Sequence, residues 1–165
     1  MKRYISTSED IFAMSKVVKK YAISEITPYI GDFIYFSASN STHGPRIKFC
    51  GGTTATKDTK NCPSMTFDAN GNCDVKLANW MNKSNCPNAF DANYVANLKQ
   101  FIQNNLAILL LVWFKHLDEG TVLAYFYGSI PFSEVISDIE YEIPSNIQTA
   151  DELHKYCIKN DLYKF

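Results

Sequence analysis

Between Phe90 and Gly120 the apolar residues first recur at helical spacing and then fuse into an unbroken run. Tyr94, Val95, Leu98, Phe101, Ile102 and Leu106 fall about one turn apart. Leu106 to Phe114 is apolar at all nine positions, about half of the roughly 18 that a bilayer span requires. The pattern predicts the buried centrepiece of a domain, a long hydrophobic helix. Asp91 or Asn88 is its cap, and Asn104-Asn105 is the point where it can break in two.

The flanking patterns are shorter. Ile11, Met14, Val17, Val18 and Tyr21 lie on one face of a predicted N-terminal helix entered at Ser6 or Ser8, with Lys16, Lys19 and Lys20 near its end. Pro28 argues against its continuation. Asp32 to Ser37 reads as a strand, as does the alternating Arg46 to Cys50, with Ile47 and Phe49 facing inward. Thr53 to Asn61 is polar and aperiodic, a loop. Met65 and Phe67 mark a third strand, Asn70-Gly71 a hairpin turn, and Cys73, Val75 and Leu77 a fourth strand. Thr121 to Tyr127 and Phe132 to Ile136 read as short helices, the first with a strand as its alternative. Pro144 marks a boundary, and a last helix runs from near Thr149 toward Asn160.

These elements predict an α+β fold: a small antiparallel sheet of three to four strands packed against the long hydrophobic helix, with an N-terminal helix and a helical, acidic C-terminal third. Residues 1–165 form one expected domain, with a core over about 1–140 and a C-terminal appendage over 141–165.

Composition adds little beyond excluding global disorder: 46% of residues are hydrophobic and 20% charged, with a net charge of -1. The distribution of charge says more. Residues 1–60 carry nine basic and five acidic groups, whereas His116 to His154 contains no Lys or Arg and eight acidic residues. Met1 to Ser6 lacks the apolar core of a secretory signal. The expectation is a cytoplasmic protein without a membrane span, its five cysteines being free thiols or ligands.

Several constellations are candidates for function. The acidic stretch predicts a protein partner with a basic surface, contacted through Glu134, Asp138, Glu140, Tyr141 and Glu142. Tyr125, Tyr127 and Tyr141 are either anchors or core residues. His43, Arg46 and Lys48, beside Gly51-Gly52, form an alternative pocket for a phosphate or carboxylate. Cys50, Cys62, Cys73 and Cys86 make four thiols for a zinc site but lack the short ligand spacing of a knuckle. Cys50 or Cys73 with His43 as base is a nucleophile reading without geometric support. His116 reads as a cation at a helix C-terminus. Lys16, Lys19, Lys20, Arg46, Lys48, Lys57 and Lys60, with Tyr21 and Tyr35, would make a nucleic-acid stripe if their elements are adjacent.

Thr42 to Phe49 (Thr-His-Gly-Pro-Arg-Ile-Lys-Phe), followed later by the helix ending at Trp113-Phe114, resembles a group of small uncharacterised bacterial proteins. In that group a His-x-Pro-Pro-His-x-His strand opens a small sheet, and its members look like accessories of toxin–antitoxin or mobile-element neighbourhoods. His43 and Pro45 match. Arg46, Ile47, Lys48 and Phe49 stand where the remaining Pro-His-x-His would fall, so no histidine chemistry carries over. The resemblance implies a bacterial or phage accessory factor that occludes a macromolecular partner, an anti-defence (anti-CRISPR-like) protein. The residues assign no catalytic group and no cofactor. The alternative function is a small-ligand, nucleotide or nucleic-acid-binding domain, or an enzyme, built on His43, Arg46 and Lys48.

Overall fold

The structure, a computed structural model, describes residues 19–21, 33–36, 44–50, 62–126 and 128–165; for 19–21, 33–36 and Cys50 it describes the backbone. The chain is α+β. Five strands, β1 (Lys19–Tyr21), β2 (Phe33–Phe36), β3 (Arg46–Cys50), β4 (Ser64–Phe67) and β5 (Cys73–Lys76), pair antiparallel in sequence order. β1 is a strand where periodicity predicts helix. Lys19–Tyr21 was expected at the end of the N-terminal helix, and it instead pairs with Phe36, Tyr35 and Ile34. Three residues carry too little periodicity to resist an available strand edge. The rest of that predicted helix, the 53–61 loop, His43 and Tyr127 lie outside the described residues.

Alternation along β3 and β4 sends Ile47, Phe49, Met65 and Phe67 into the core. The β4–β5 connection is held by Asp68, whose carboxylate accepts from the backbone N–H groups of Asn70 (2.9 Å) and Asn72 (3.1 Å). Gly71 adopts φ 78, which a side chain would strain, and its carbonyl accepts from Gln103 Nε2 at 3.2 Å.

The long hydrophobic helix is two helices, α1 (Ala92–Asn104) and α2 (Leu106–Trp113). The cap falls at Asp91, which accepts from the N–H groups of Asn93 and Tyr94. Asn105 makes the break: its Nδ2 donates to Phe101 O at 2.9 Å while its backbone N–H reaches Phe101 O and Ile102 O. All eight residues of α2 are buried. At about 1.5–3 kcal/mol per fully buried aliphatic side chain, α2 contributes on the order of 10 kcal/mol before entropy is subtracted. No described helix is long and apolar enough to cross a membrane.

The C-terminal third is helical as predicted, with α3 (Glu119–Phe126), α4 (Phe132–Asp138) and α5 (Ala150–Lys159). Thr149 and Glu152 form a reciprocal capping box at the start of α5. Leu153 and Cys157 of α5 are fully buried in the same apolar cluster as α1, α2 and the sheet. Residues 141–165 thus share the core with what precedes them.

Candidate partner-binding face

Helices α2 and α5 end in the same reversal. After α2, His116 N–H reaches Leu111 O at 2.8 Å and Lys115 N–H reaches Val112 O at 3.0 Å. After α5, Leu162 N–H reaches Cys157 O at 3.0 Å and Asp161 N–H reaches Ile158 O at 3.2 Å. Each turn puts a non-glycine residue in the left-handed region, Lys115 at φ 66 and Asp161 at φ 52. The two reversals send His116 and the C-terminal segment toward each other.

His116, only 8% exposed, becomes the hub of that meeting. Its Nδ1 lies 2.8 Å from Glu140 Oε2, and its Nε2 contacts the Lys164 carbonyl oxygen. The Glu140 carboxylate and the Lys164 carbonyl thus present acceptors on two sides of the ring. Tyr141 Oη sits 3.1 Å from Nε2, and the two rings pack with centroids 4.6 Å apart. Glu140 N–H also donates to His116 O at 2.9 Å. Phe114 stacks on Tyr163 and meets Phe165 edge-on beside this hub. The expected role of His116, capping the last helical turn, is corrected: it lies beyond the helix and holds residues 140, 141 and 164.

A second polar chain ties the C-terminal segment to the sheet. The His154 ring hydrogen-bonds the Ala69 backbone, and its Nδ1 lies 2.7 Å from Tyr163 Oη. Cys157 hydrogen-bonds Tyr163. Burial holds His154 below its ordinary pKa, pushes the Cys157 thiol up to about 11, and raises the Tyr163 phenol strongly. All three groups are therefore neutral, and each finds a partner in the chain. Beside His154, an open cleft of about 280 Å³ is lined by Gln103, Asn104, Leu106, Ala150 and Asp151.

The five residues expected to meet a partner divide into structural and exposed groups. Asp138 accepts from Thr121 Oγ1 at 2.7 Å, joining α3 to α4, and Glu140 and Tyr141 are held by His116. Glu134 is half-buried in the first turn of α4, and Glu142 is exposed. Asp151 and Glu152 are exposed on α5, where Asp151 pairs with Lys155 at 2.6 Å. Tyr125 is half-buried, packed on Phe126 and Phe132, and its phenol is raised by burial, so it belongs to the core. Among the described residues the large aromatics left exposed are Trp80 (49%), Phe90 (47%) and Phe165 (71%). None of these three stands out in the periodicity: Trp80 and Phe165 lie outside the regular elements, and Phe90 closes the short 3-10 turn Pro87–Phe90.

Of the alternative pocket, Arg46 and Lys48 are half-buried on β3, and Lys48 Nζ donates to Cys62 O at 3.3 Å. His43 is outside the described residues. The four-thiol zinc reading is overturned: Cys62 is disulfide-bonded, so it offers no thiolate. The register that pairs Lys48 with Ser64 brings the Cys50 backbone opposite Cys62, a proximity the 12-residue separation conceals. Cys73, Cys86 and Cys157 are free, with burial raising the thiol of each. Among the described residues no three His, Cys, Asp or Glu side chains converge as a metal site.

No family model matches the chain, and neither a curated protein nor a solved structure matches it.

Proposed function

We propose that this chain is a non-catalytic protein-binding factor whose acidic helical side docks a partner with a basic surface. The observation that carries the reading is the placement of the stretch from His116 to His154. It contains no Lys or Arg, and it folds as the helical side with Glu140, Glu142, Asp151 and Glu152 exposed. A surface of one sign steers an oppositely charged partner and selects against partners of like charge.

The His116 hub supports the same reading. It fixes residues 140 and 141 before any partner arrives, which lowers the ordering cost of association. His154, Tyr163 and Cys157 are likewise committed to internal contacts, which favours a structural over a catalytic use of them. The mobile-element setting implied by the sequence resemblance makes a nucleic-acid-processing component of a bacterial defence system the partner class to test first, with occlusion of its basic groove as the mode of action.

The test is capture by the tagged full chain from native bacterial lysate, with Glu142→Lys/Asp151→Lys as the comparison. The expected result is a stoichiometric partner that raised salt releases and that the folded double variant no longer retains. Equal retention by the variant, or a co-purifying small ligand with no protein, refutes the assignment.

A further inference from the structure

Among the described residues β5 has β4 as its one neighbour, so its far side is a sheet edge. The hydrogen-bonding pattern fixes what that edge presents. Phe67 N–H donates to Pro45 O beside β3, and Asp68 N–H donates to Asn72 O across the β4–β5 turn. Hydrogen-bonded positions alternate along an antiparallel pair, so Ser64 with Lys76 and Thr66 with Asp74 carry the ladder. The backbone groups of Cys73 and Val75 therefore point away from β4. Within the chain, the Val75 N–H is met by the carboxylate of its neighbour Asp74.

Side chains along β5 alternate. Cys73 and Val75 are half-buried against the core, whereas Lys76 and Asp74 pair with each other in solvent, their side chains 62% and 66% exposed. An ion pair so exposed is free to exchange partners. Lys99 of α1 lies near enough to act on Asp74 and Cys73 electrostatically. Sheet edges are commonly guarded by like charges, prolines or bulges that turn a second strand away. β5 has none of these: its register runs unbroken from Cys73 to Lys76, and its two charges are of opposite sign. Leu77, the next residue, is 41% exposed.

We infer that β5 pairs antiparallel with β5 of a second copy of this chain, about a two-fold axis at Val75. That axis sets Val75 against Val75, Asp74 against Lys76 and Cys73 against Leu77 of the second copy. Centring the axis on Asp74 would oppose two carboxylates, and centring it on Lys76 two ammonium groups. Charge therefore selects the Val75 register. In that register each Val75 N–H exchanges the Asp74 carboxylate for the Val75 carbonyl of the other copy. Each Asp74 then faces the other copy's Lys76, and each Leu77 gains Cys73 as an apolar neighbour. The edge of a four-residue strand is a small contact, so the dimer is reversible rather than obligate. The inference is independent of the acidic-side reading: it concerns a different element, and its occupant is the chain itself.

The test is sedimentation equilibrium of the full chain at concentrations up to about 1 mM, the weak end of measurable affinity. The wild type should dimerise reversibly. Lys76→Asp leaves only carboxylates on the strand and Asp74→Lys only ammonium groups, so each variant alone should dimerise roughly tenfold more weakly. Mixing the two restores opposite charges at both contacts, and the mixture should associate at least as tightly as the wild type, a recovery that misfolding cannot imitate. Val75→Pro removes the N–H that faces the second copy but no hydrogen bond of the β4 ladder, and the folded variant should be monomeric. A wild type that stays monomeric at every concentration overturns the inference. So does a dimer that Lys76→Asp or folded Val75→Pro leaves intact, and so does a mixture no tighter than its two components.

Discussion

Leu153 decides whether the C-terminal segment is an appendage or part of the core, and Leu153→Ala measures it. The side chain is fully buried, and Cys157, one turn further on, is the other fully buried residue of α5. The substitution removes three carbons. Their transfer contributes about 2.4 kcal/mol at roughly 0.8 kcal/mol per methylene. Incomplete collapse of the cavity brings the expected loss to about 3–5 kcal/mol. For a chain of this size that corresponds to a fall in melting temperature of roughly 6–15 °C.

The assay is thermal or urea unfolding combined with hydrogen exchange of the α1 and α2 amides. If α5 shares one cooperative core with α2, exchange in α2 should accelerate together with exchange in α5. The comparison is Ile158→Ala on the same helix, where the side chain is 50% exposed and the expected change is under about 0.5 kcal/mol. A loss below about 1 kcal/mol at Leu153, or faster exchange confined to residues after Pro144, would refute the single-core account.

Three further outcomes are expected. Thr149→Ala removes the reciprocal cap of α5 and should cost about 1 kcal/mol in urea unfolding, with Thr149→Ser restoring most of it. His154 is held neutral by burial, so the unfolded state binds more protons in the window from its ordinary value of about 6.5 downward. Its contribution is therefore present above that value and lost as pH falls; the wild type should lose stability faster than His154→Gln across this window, and parallel pH profiles would contradict the account. In the folded protein an alkylating reagent should modify half-buried Cys73 before fully buried Cys157, whose thiol is pushed up to about 11. Cys62 should label only after reduction, as peptide mapping would show.

Local patterns reached the structure where the physics is local. The strand Arg46–Cys50, the Asn-Gly turn, the Asp91 cap and the helix after Thr149 depend on alternation, turn chemistry and caps within a few residues, and all are found. Lys19–Tyr21 was misread because helical spacing over so short a stretch is weaker than pairing to β2, a partner some 15 residues away. The acidic composition of residues 134–142 was plain in the sequence. Its division into core-facing Asp138, clamped Glu140 and exposed Glu142 was not, because it depends on Thr121 and His116.

What the sequence by itself determined was the kind of molecule: an α+β chain organised on the apolar run that became α2, with an acidic helical C-terminal third. Composition and period suffice for that, since burial of a continuous apolar segment is demanded by water whatever the topology. Only the tertiary structure decided where chemistry gathers. His116 meets Lys164 across 48 residues, and the β4–β5 register turns the Val75 backbone toward a sheet edge. Such contacts follow from register and helix ends rather than from any local signal, because long-range pairing is selected by the packing of the whole core.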